Sequence, residues 1–334
     1  MEEDQGLFAD RPEWADVVPI EQYEGAPPIA PIFYTPEYKD ATNYFRGIIK
    51  TGEKSPRVLD LTENIIRQNP AHYSAWQYRY KTLMALNAPL DAELELMDEL
   101  AVTYLKTYQV WHYRRLLVQQ SNNPEPELAF IANALRRDAK NYHTWSYRQW
   151  ILAHFNDDAL WRGELAFVEH MLDSDLRNNS AWHHRFFVVF QSGVREGDED
   201  RDAVLRRELT FVKTKIATAP NNASAWNYLR GMLDHSKTPY SILRSFVGPY
   251  SVPHPEQHEV PLEDVVDLEN PLPSPGAQLP CVAAIEFLAD IYETTGGDDL
   301  MKAIELWKSL AHEHDTMRKK YWEYRIKEAL QNVR

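Results

Sequence analysis

The sequence predicts an all-α protein, a solenoid of helical hairpin repeats, and a recurring group of residues carries that prediction. Six tryptophans are each followed two residues later by an aromatic residue or histidine, and an arginine occupies the third position in five of the six: Trp76, Trp111, Trp145, Trp182, Trp226 and Trp322. The first four tryptophans lie 35, 34 and 37 residues apart. A period of this size is typical of stacked helix pairs, because one pair alone cannot bury its apolar face.

A second pattern precedes each tryptophan, an apolar triplet with the spacing i, i+3, i+7 that marks one face of an α-helix. The first triplet is Val58, Leu61 and Ile65, and the sixth ends at Ala311. The last member of each triplet lies 10 or 11 residues before the next tryptophan, whereas the distance from a tryptophan to the following triplet ranges from 17 to 78 residues. The turns just before the tryptophan helices therefore have a nearly constant length. They form one edge of the array, the rim, and we expect the functional residues at this rim.

The other elements follow in chain order. Residues 1–34 form a proline-rich arm that we expect to be partly extended, with large apolar residues that either pack on the array or dock on a partner. A first helix is predicted from Thr35 or Pro36 to just before Gly52. The helical-repeat domain occupies 35–334, with an irregular, proline-rich insertion at about 236–280.

The recurring residues have structural interpretations. Asn141, Asn178 and Asn222 stand four residues before their tryptophans, and asparagine is a strong N-cap, so these helices are predicted to begin at the rim. Tryptophan at a fixed helical position is typical of a core residue. The arginine three residues further on lies on the same helix face, and we expect it to tie neighbouring helices through carboxylates or turn carbonyls.

Composition excludes several classes of function. A single cysteine, Cys281, cannot form an internal disulfide or a cysteine-pair zinc site, and no His, Asp and Glu set has metal-ligand spacing. The net charge of −14 argues against nucleic acid as a partner. No phosphate-binding glycine loop or nucleophile elbow is present. No apolar run approaches a membrane span, and the acidic N-terminal residues are unlike a signal peptide, so we expect a cytoplasmic protein.

One rim turn stands out, the run of Lys106, Thr107, Tyr108 and Gln109 before Trp111. A lysine at the start of a helix opposes the helix dipole and gains nothing locally. Facing an anion such as a diphosphate, the lysine and the helix N-terminus would act together. The alternative interpretation is a solvated surface lysine.

The recurring Asn-x-x-x-Trp-x-x-Arg pattern resembles the repeat of protein prenyltransferase α subunits. The resemblance covers nearly the whole chain outside 236–280, and these stretches carry it: 105–117, 138–150, 176–188, 221–231 and 315–325. The arm over 8–20 and 32–48 resembles the start of the α subunit shared by protein farnesyltransferase and type I geranylgeranyltransferase. The family's usual asparagine is replaced here by Thr107, so the capping of that helix departs from the pattern.

The resemblance implies a fold and a set of site residues. The fold is a right-handed α-α superhelix, crescent-shaped, that wraps around a β subunit. Lys106 would be the catalytic residue that contacts the diphosphate of the isoprenoid. The implied substrate-binding residues include Gln109, which would bind the C-terminal carboxylate of the peptide, and four residues in the same cleft or its equivalent turn: Tyr108, Tyr142, His143 and Tyr73.

The resemblance also implies partners and cofactors. The chain would act only with the β subunit of farnesyltransferase or type I geranylgeranyltransferase, on an isoprenoid diphosphate and on CaaX-terminated proteins such as small GTPases. Zinc would be bound by the β subunit, this chain would hold no metal, and magnesium could accompany the diphosphate. Two alternatives remain open at this point: a non-catalytic scaffold of the tetratricopeptide type, and the α subunit of Rab geranylgeranyltransferase.

Overall fold

The computed structural model describes residues 6–22, 29–191, 200–253, 267 and 269–332, and all regular structure within them is helical. The chain forms two compact units, Met1–Asn156 and Asp157–Arg334. The described part of the first unit contains part of the arm and seven α-helices: α1 (Pro36–Thr51), α2 (Pro56–Gln68), α3 (Tyr73–Leu86), α4 (Leu90–Thr103), α5 (Tyr108–Ser121), α6 (Glu127–Arg137) and α7 (Tyr142–Phe155). Helices α2–α3, α4–α5 and α6–α7 pack as successive hairpins.

The described part of the second unit contains nine helices: α8 (Asp158–Trp161), α9 (Glu164–Ser174), α10 (Asn179–Phe186), α11 (Arg201–Thr218), α12 (Ala223–Ser236), α13 (Arg244–Val247), α14 (Val282–Thr295), α15 (Asp299–Ser309) and α16 (Lys319–Asn332). Helix pairs α9–α10, α11–α12 and α14–α15 form its hairpins. The predicted all-α array of helical hairpins is therefore confirmed.

Helix α1 has the predicted boundaries. The Thr35 hydroxyl accepts a hydrogen bond from the Tyr38 amide at 3.2 Å, and Pro36 fills the first helical position, where no amide donor is needed. The helix ends at Gly52, whose φ of 75° lies in the left-handed region that glycine adopts without strain.

The arm packs back on the first unit through its first half. The rings of Phe8 and Trp14 are buried and lie 5.2 Å apart, and Trp14 meets Tyr44 of α1 at 5.9 Å. Gly47 lets the arm backbone pass close to α1, since a Cβ atom there would lie 2.5 Å from the Val18 carbonyl oxygen. Further along, the side chains of Ile32 and Phe33 are exposed. Residues 1–5 and 23–28 of the predicted arm lie outside the described residues.

Part of the predicted irregular insertion is helical, which corrects that prediction for 240–250. Two 3₁₀ turns, Tyr240–Leu243 and Gly248–Tyr250, flank α13. Leu243, Phe246 and Tyr250 are buried, so this stretch gains apolar burial that an extended loop would lack. The high proline content led to the prediction of an irregular loop, but a proline can stand at the end of a short helical turn without disrupting it. Residues 254–266 and 268 lie outside the described part of the chain.

The six recurring tryptophans are all buried, which confirms the predicted core role. In the first five, the indole N–H donates to the carbonyl oxygen six residues earlier at 2.8–2.9 Å: Pro70, Leu105, Ala139, Leu176 and Pro220. Trp322 instead donates to the carboxylate of Asp315 at 3.0 Å. Each tryptophan therefore fills the core and also fixes the rim turn that leads into its helix.

Three of the recurring arginines, Arg79, Arg114 and Arg185, bind buried glutamates, as predicted for residues that tie helices together. Glu127 shows the pattern, because its carboxylate accepts two hydrogen bonds from Arg114 at 2.8 Å and a third from the hydroxyl of Tyr147 at 2.7 Å. The same bridge recurs in Arg79–Glu93–Tyr113 and Arg185–Glu208–Tyr228. The sequence interpretation missed these glutamates, although each directly precedes the first leucine of an apolar triplet.

Candidate functional site

Lys106 lies in the rim turn between α4 and α5, with 84% of its side chain exposed. The carboxylate of Asp138 is near its ammonium group, with Oδ2 3.9 Å from Nζ. An exposed pair at this distance is weak, so the lysine charge remains accessible to an anionic ligand. The structure therefore places a cation at the rim position that the sequence singled out.

The turn that carries Lys106 is held from two sides. The Leu105 carbonyl oxygen accepts one hydrogen bond from the Trp111 indole at 2.9 Å and another from the Asn141 side-chain amide at 3.2 Å. The Thr107 amide donates to the Tyr104 carbonyl oxygen at 2.9 Å. The backbone on both sides of Lys106 is thus fixed by α5 and by the turn before α7, so the exposed side chain extends from a rigid base.

The two helices that begin at this site are capped differently. Asn141 caps α7, with its side-chain oxygen accepting a hydrogen bond from the Thr144 amide at 3.0 Å. Thr107 is the N-cap of α5, and its hydroxyl makes no capping hydrogen bond within the described structure. The departure noted in the sequence therefore has a structural counterpart, an N-terminus of α5 without a side-chain cap.

Aromatic side chains stand at the starts of both helices of this site. Tyr108 begins α5, and its ring lies 6.1 Å from that of His143 and 6.3 Å from that of His112, on which it stacks. Tyr142 begins α7 and meets His143 at 5.6 Å. Tyr108 and Tyr142 are 66% and 77% exposed, which is high for large aromatic groups on a folded surface.

The remaining predicted residues occupy related positions. Gln109 is the second residue of α5 and His143 the second of α7, and both are partly exposed. Tyr73 begins α3 and is 74% exposed, but no ring contact joins it to Tyr108 or Tyr142 in the described part of the chain. The structure thus brings five of the six predicted residues together on two adjacent turns and leaves Tyr73 on the turn before them.

Two further residues belong to this site and were not predicted for it. The sequence indicated only that Asn141 caps a helix. Its side-chain amide also donates a hydrogen bond to the carbonyl oxygen of Leu105, which is distant in the sequence. Asp138 carried no signal beyond its place near the end of α6. Within the described residues there is no group of three His, Cys, Asp or Glu side chains suited to a metal ion. Nor is any of the described helices long and apolar enough to cross a membrane.

Comparisons with known proteins agree with this architecture. The family model for the protein prenyltransferase alpha subunit repeat matches the chain five times, over residues 55–86, 90–121, 124–155, 161–192 and 205–236. The solved structure of Candida albicans protein geranylgeranyltransferase-I complexed with GGPP superposes with a TM-score of 0.78 at 31% identity. That match covers 94% of this chain and 97% of the other.

Curated relatives match in shorter segments. The Dictyostelium discoideum protein farnesyltransferase/geranylgeranyltransferase type-1 subunit alpha is 46% identical over 101 residues, which cover 30% of this chain and 31% of the relative. The subunit of the same name from Schizosaccharomyces pombe is 42% identical over 118 residues, covering 35% of this chain and 40% of the relative. These matched segments span less than half of either relative's length.

Successive helical hairpins with buried tryptophans and a polar, aromatic rim define an α-helical repeat protein. Within that class, the chain belongs to the family of protein prenyltransferase α subunits. The family resemblance drawn from the sequence is thereby confirmed.

Proposed function

We propose that this chain is the α subunit of a heterodimeric protein prenyltransferase of the farnesyltransferase/geranylgeranyltransferase type I class. The enzyme would transfer a farnesyl or geranylgeranyl group from its diphosphate to the cysteine of a C-terminal CaaX motif. The observation that carries the proposal is Lys106, a cation 84% exposed on a hydrogen-bonded turn, with the exposed ring of Tyr108 two residues later. The relatives named above support it, and so does the likeness to a geranylgeranyltransferase-I structure described with GGPP.

In the proposed reaction, the substrate thiolate attacks C1 of the isoprenoid, the new C–S bond forms and the C1–O bond to the diphosphate breaks. Negative charge builds up on the departing diphosphate, and a cation beside it stabilises the transition state more than the ground state. Lys106 would serve this purpose. The zinc that lowers the pKa of the substrate thiol, and any magnesium that accompanies the diphosphate, would be held outside this chain's own residues.

The neighbouring side chains would bind the rest of the substrates. Gln109, the residue after Tyr108, would donate a hydrogen bond from its side-chain amide to the terminal carboxylate of the CaaX peptide. Tyr108, Tyr142 and His143 offer a polar and aromatic lining beside it. Tyr73 would contact a more distant part of the substrate or the partner.

The chain would work in the cytoplasm with a β subunit of farnesyltransferase or type I geranylgeranyltransferase, on CaaX proteins such as small GTPases. Assays of the purified pair with both diphosphates would identify the isoprenoid. A stable pair that does not prenylate a cysteine-terminated peptide would favour the non-catalytic scaffold.

The first prediction tests Lys106 in the purified heterodimer. Lys106→Ala should lower the single-turnover rate of transfer by about 10²-fold or more while changing isoprenoid affinity much less, since the interaction strengthens only as charge develops. Rapid quench would measure the rate, and equilibrium titration with the isoprenoid diphosphate would measure the affinity.

Lys81→Ala is the matched control, because Lys81 is an exposed lysine on α3 away from the rim turn. It should leave both quantities at the wild-type value. Equal losses of rate and affinity in Lys106→Ala, or no loss of either, would remove Lys106 from the chemistry.

A further inference from the structure

The contact between Lys106 and Asp138 indicates that the aspartate has a role in ligand binding as well as in its own turn. We propose that Asp138 is a resident counter-ion for Lys106, which the diphosphate must displace, and that its charge limits the affinity of the site for diphosphate. The inference rests on the proposed function of Lys106 and adds a residue that tunes it.

Both members of the pair are held in place by backbone contacts. Asp138 directly follows α6, and its Oδ1 accepts a hydrogen bond from the Lys140 amide at 3.2 Å. Its Oδ2 is therefore left to face Lys106. Asn141, three residues after Asp138, binds the Leu105 carbonyl oxygen next to Lys106, so the two turns cannot drift apart without breaking that bond.

The negative charge of Asp138 is not required by the turn. The same turn recurs after α2, where Asn69 Oδ1 accepts from the Ala71 amide at 3.1 Å, and after α9, where Asp175 Oδ1 accepts from the Arg177 amide at 2.9 Å. A neutral amide thus makes the same hydrogen bond in the first of these turns. The charge at Asp138 is free to act on its surroundings, and the ammonium group of Lys106 is 3.9 Å away.

The electrostatic consequence has a definite sign. A diphosphate that approaches Lys106 competes with a carboxylate that is always present, and it is repelled by that carboxylate once it is bound. Because Lys106 is largely exposed and water screens the pair, we expect neutralising Asp138 to tighten diphosphate binding by only about two- to fivefold. The gain should shrink as the salt concentration rises.

The test uses the α–β heterodimer and titrates it with inorganic pyrophosphate and with the isoprenoid diphosphate. Asp138→Asn should lower both dissociation constants by about two- to fivefold at low salt, with a thermal unfolding midpoint like that of the wild type. Asp138→Ser, whose hydroxyl can also accept the Lys140 amide, should do the same. Asp175→Asn makes the identical change in the equivalent turn and should leave both constants unchanged.

A double-mutant cycle decides whether the effect acts through Lys106. In a Lys106→Ala background there is no Lys106–Asp138 pair for the diphosphate to displace, so most of the gain from Asp138→Asn should disappear and only the part due to direct repulsion should remain. An undiminished gain in that background would overturn the counter-ion role. Unchanged or weaker binding in both Asp138 variants would overturn the inference while leaving the Lys106 assignment intact. If Lys106→Ala does not alter transfer in the wild-type background, the proposed function of Lys106 fails, and the counter-ion role fails with it.

Discussion

At the scale of single residues, the buried glutamates hold successive repeats together. Glu127 receives two hydrogen bonds from Arg114 on one tryptophan helix and one from Tyr147 on the next. Burial, and then the negative charge of Glu127, raise the pKa of Tyr147 well above its usual range, so the phenol keeps its proton and donates. Each bridge therefore links three helices through one desolvated carboxylate.

Glu127→Gln should be strongly destabilising. The substitution keeps the shape of the side chain but leaves the guanidinium of Arg114 without its buried counter-charge, and breaking such a pair costs about 3–5 kcal/mol. Asp98 also binds Arg114, at 2.6 Å, but is itself largely exposed and compensates only in part. Urea unfolding followed by circular dichroism would measure the loss.

Glu125→Gln, two residues earlier and exposed, provides the control for this substitution. It should change the free energy of unfolding by less than about 0.5 kcal/mol. A loss below about 1 kcal/mol for Glu127→Gln would mean that the bridge is not a major source of stability.

Local patterns were sufficient to predict some residue roles and not others. Fixed spacing predicted the buried tryptophans and the helix-tying arginines, because both roles depend on the face of a single helix. The partners of those arginines lie 13 to 23 residues away in Glu93, Glu127 and Glu208, so the repeat itself was the only signal for them. The contacts of Asp138 and of the Asn141 amide join turns that belong to different hairpins, and no local sequence pattern predicts such contacts.

At the scale of elements, the three rim turns before α7, α10 and α12 have a common construction. An asparagine caps the helix, and an indole four residues later binds back to the turn, as in Asn178 with Trp182. The Asn178 side-chain oxygen accepts from the amides of Ser180 and Ala181 at 3.0 and 3.3 Å, and the residue is fully buried. Helix start and turn geometry are thereby set together.

Asn178→Ala should destabilise the protein by about 1–2 kcal/mol, because two amide donors at the start of α10 lose their acceptor. Asn179→Ala is a matched comparison, since Asn179 is the exposed first residue of the same helix. It should have almost no effect, as alanine is a good helix former. Thermal unfolding of the two variants side by side would test this, and equal shifts would show that the cap is not what holds the turn.

Helices outside the repeated pattern were the hardest to predict. Helix α14 has no recurring tryptophan, and the turns over 240–250 follow or contain a proline, so neither matched a template taken from the repeats. Their burial comes from tertiary contacts such as that between Trp226 and Phe246, 6.2 Å apart. Such contacts override local propensity, and a single sequence carries little information about them.

At the scale of the whole molecule, residues 6–22 of the arm pack on the first compact unit and are not a detachable tail. The Phe8 amide donates to the Asp40 carboxylate at 2.6 Å, and Arg57 binds Asp16 through both terminal nitrogens at 2.7 and 2.8 Å. Burial of Phe8 and Trp14 adds the apolar contribution. The arm's apolar residues, left ambiguous by the sequence, thus divide into a buried set and an exposed set around Phe33.

Trp14→Ala should therefore lower the free energy of unfolding of the chain by about 3–5 kcal/mol, the cost of removing a large buried aromatic side chain. Val18→Ala, four residues later at a side chain 77% exposed, should cost less than about 0.5 kcal/mol. Circular dichroism at the helical band would follow urea unfolding of both variants, so that the loss of one indole fluorophore does not affect the comparison. If Trp14→Ala unfolds at the same urea concentration as the wild type, the packing of the arm does not stabilise the first unit. The buried rings of the arm would then contribute to binding a partner instead.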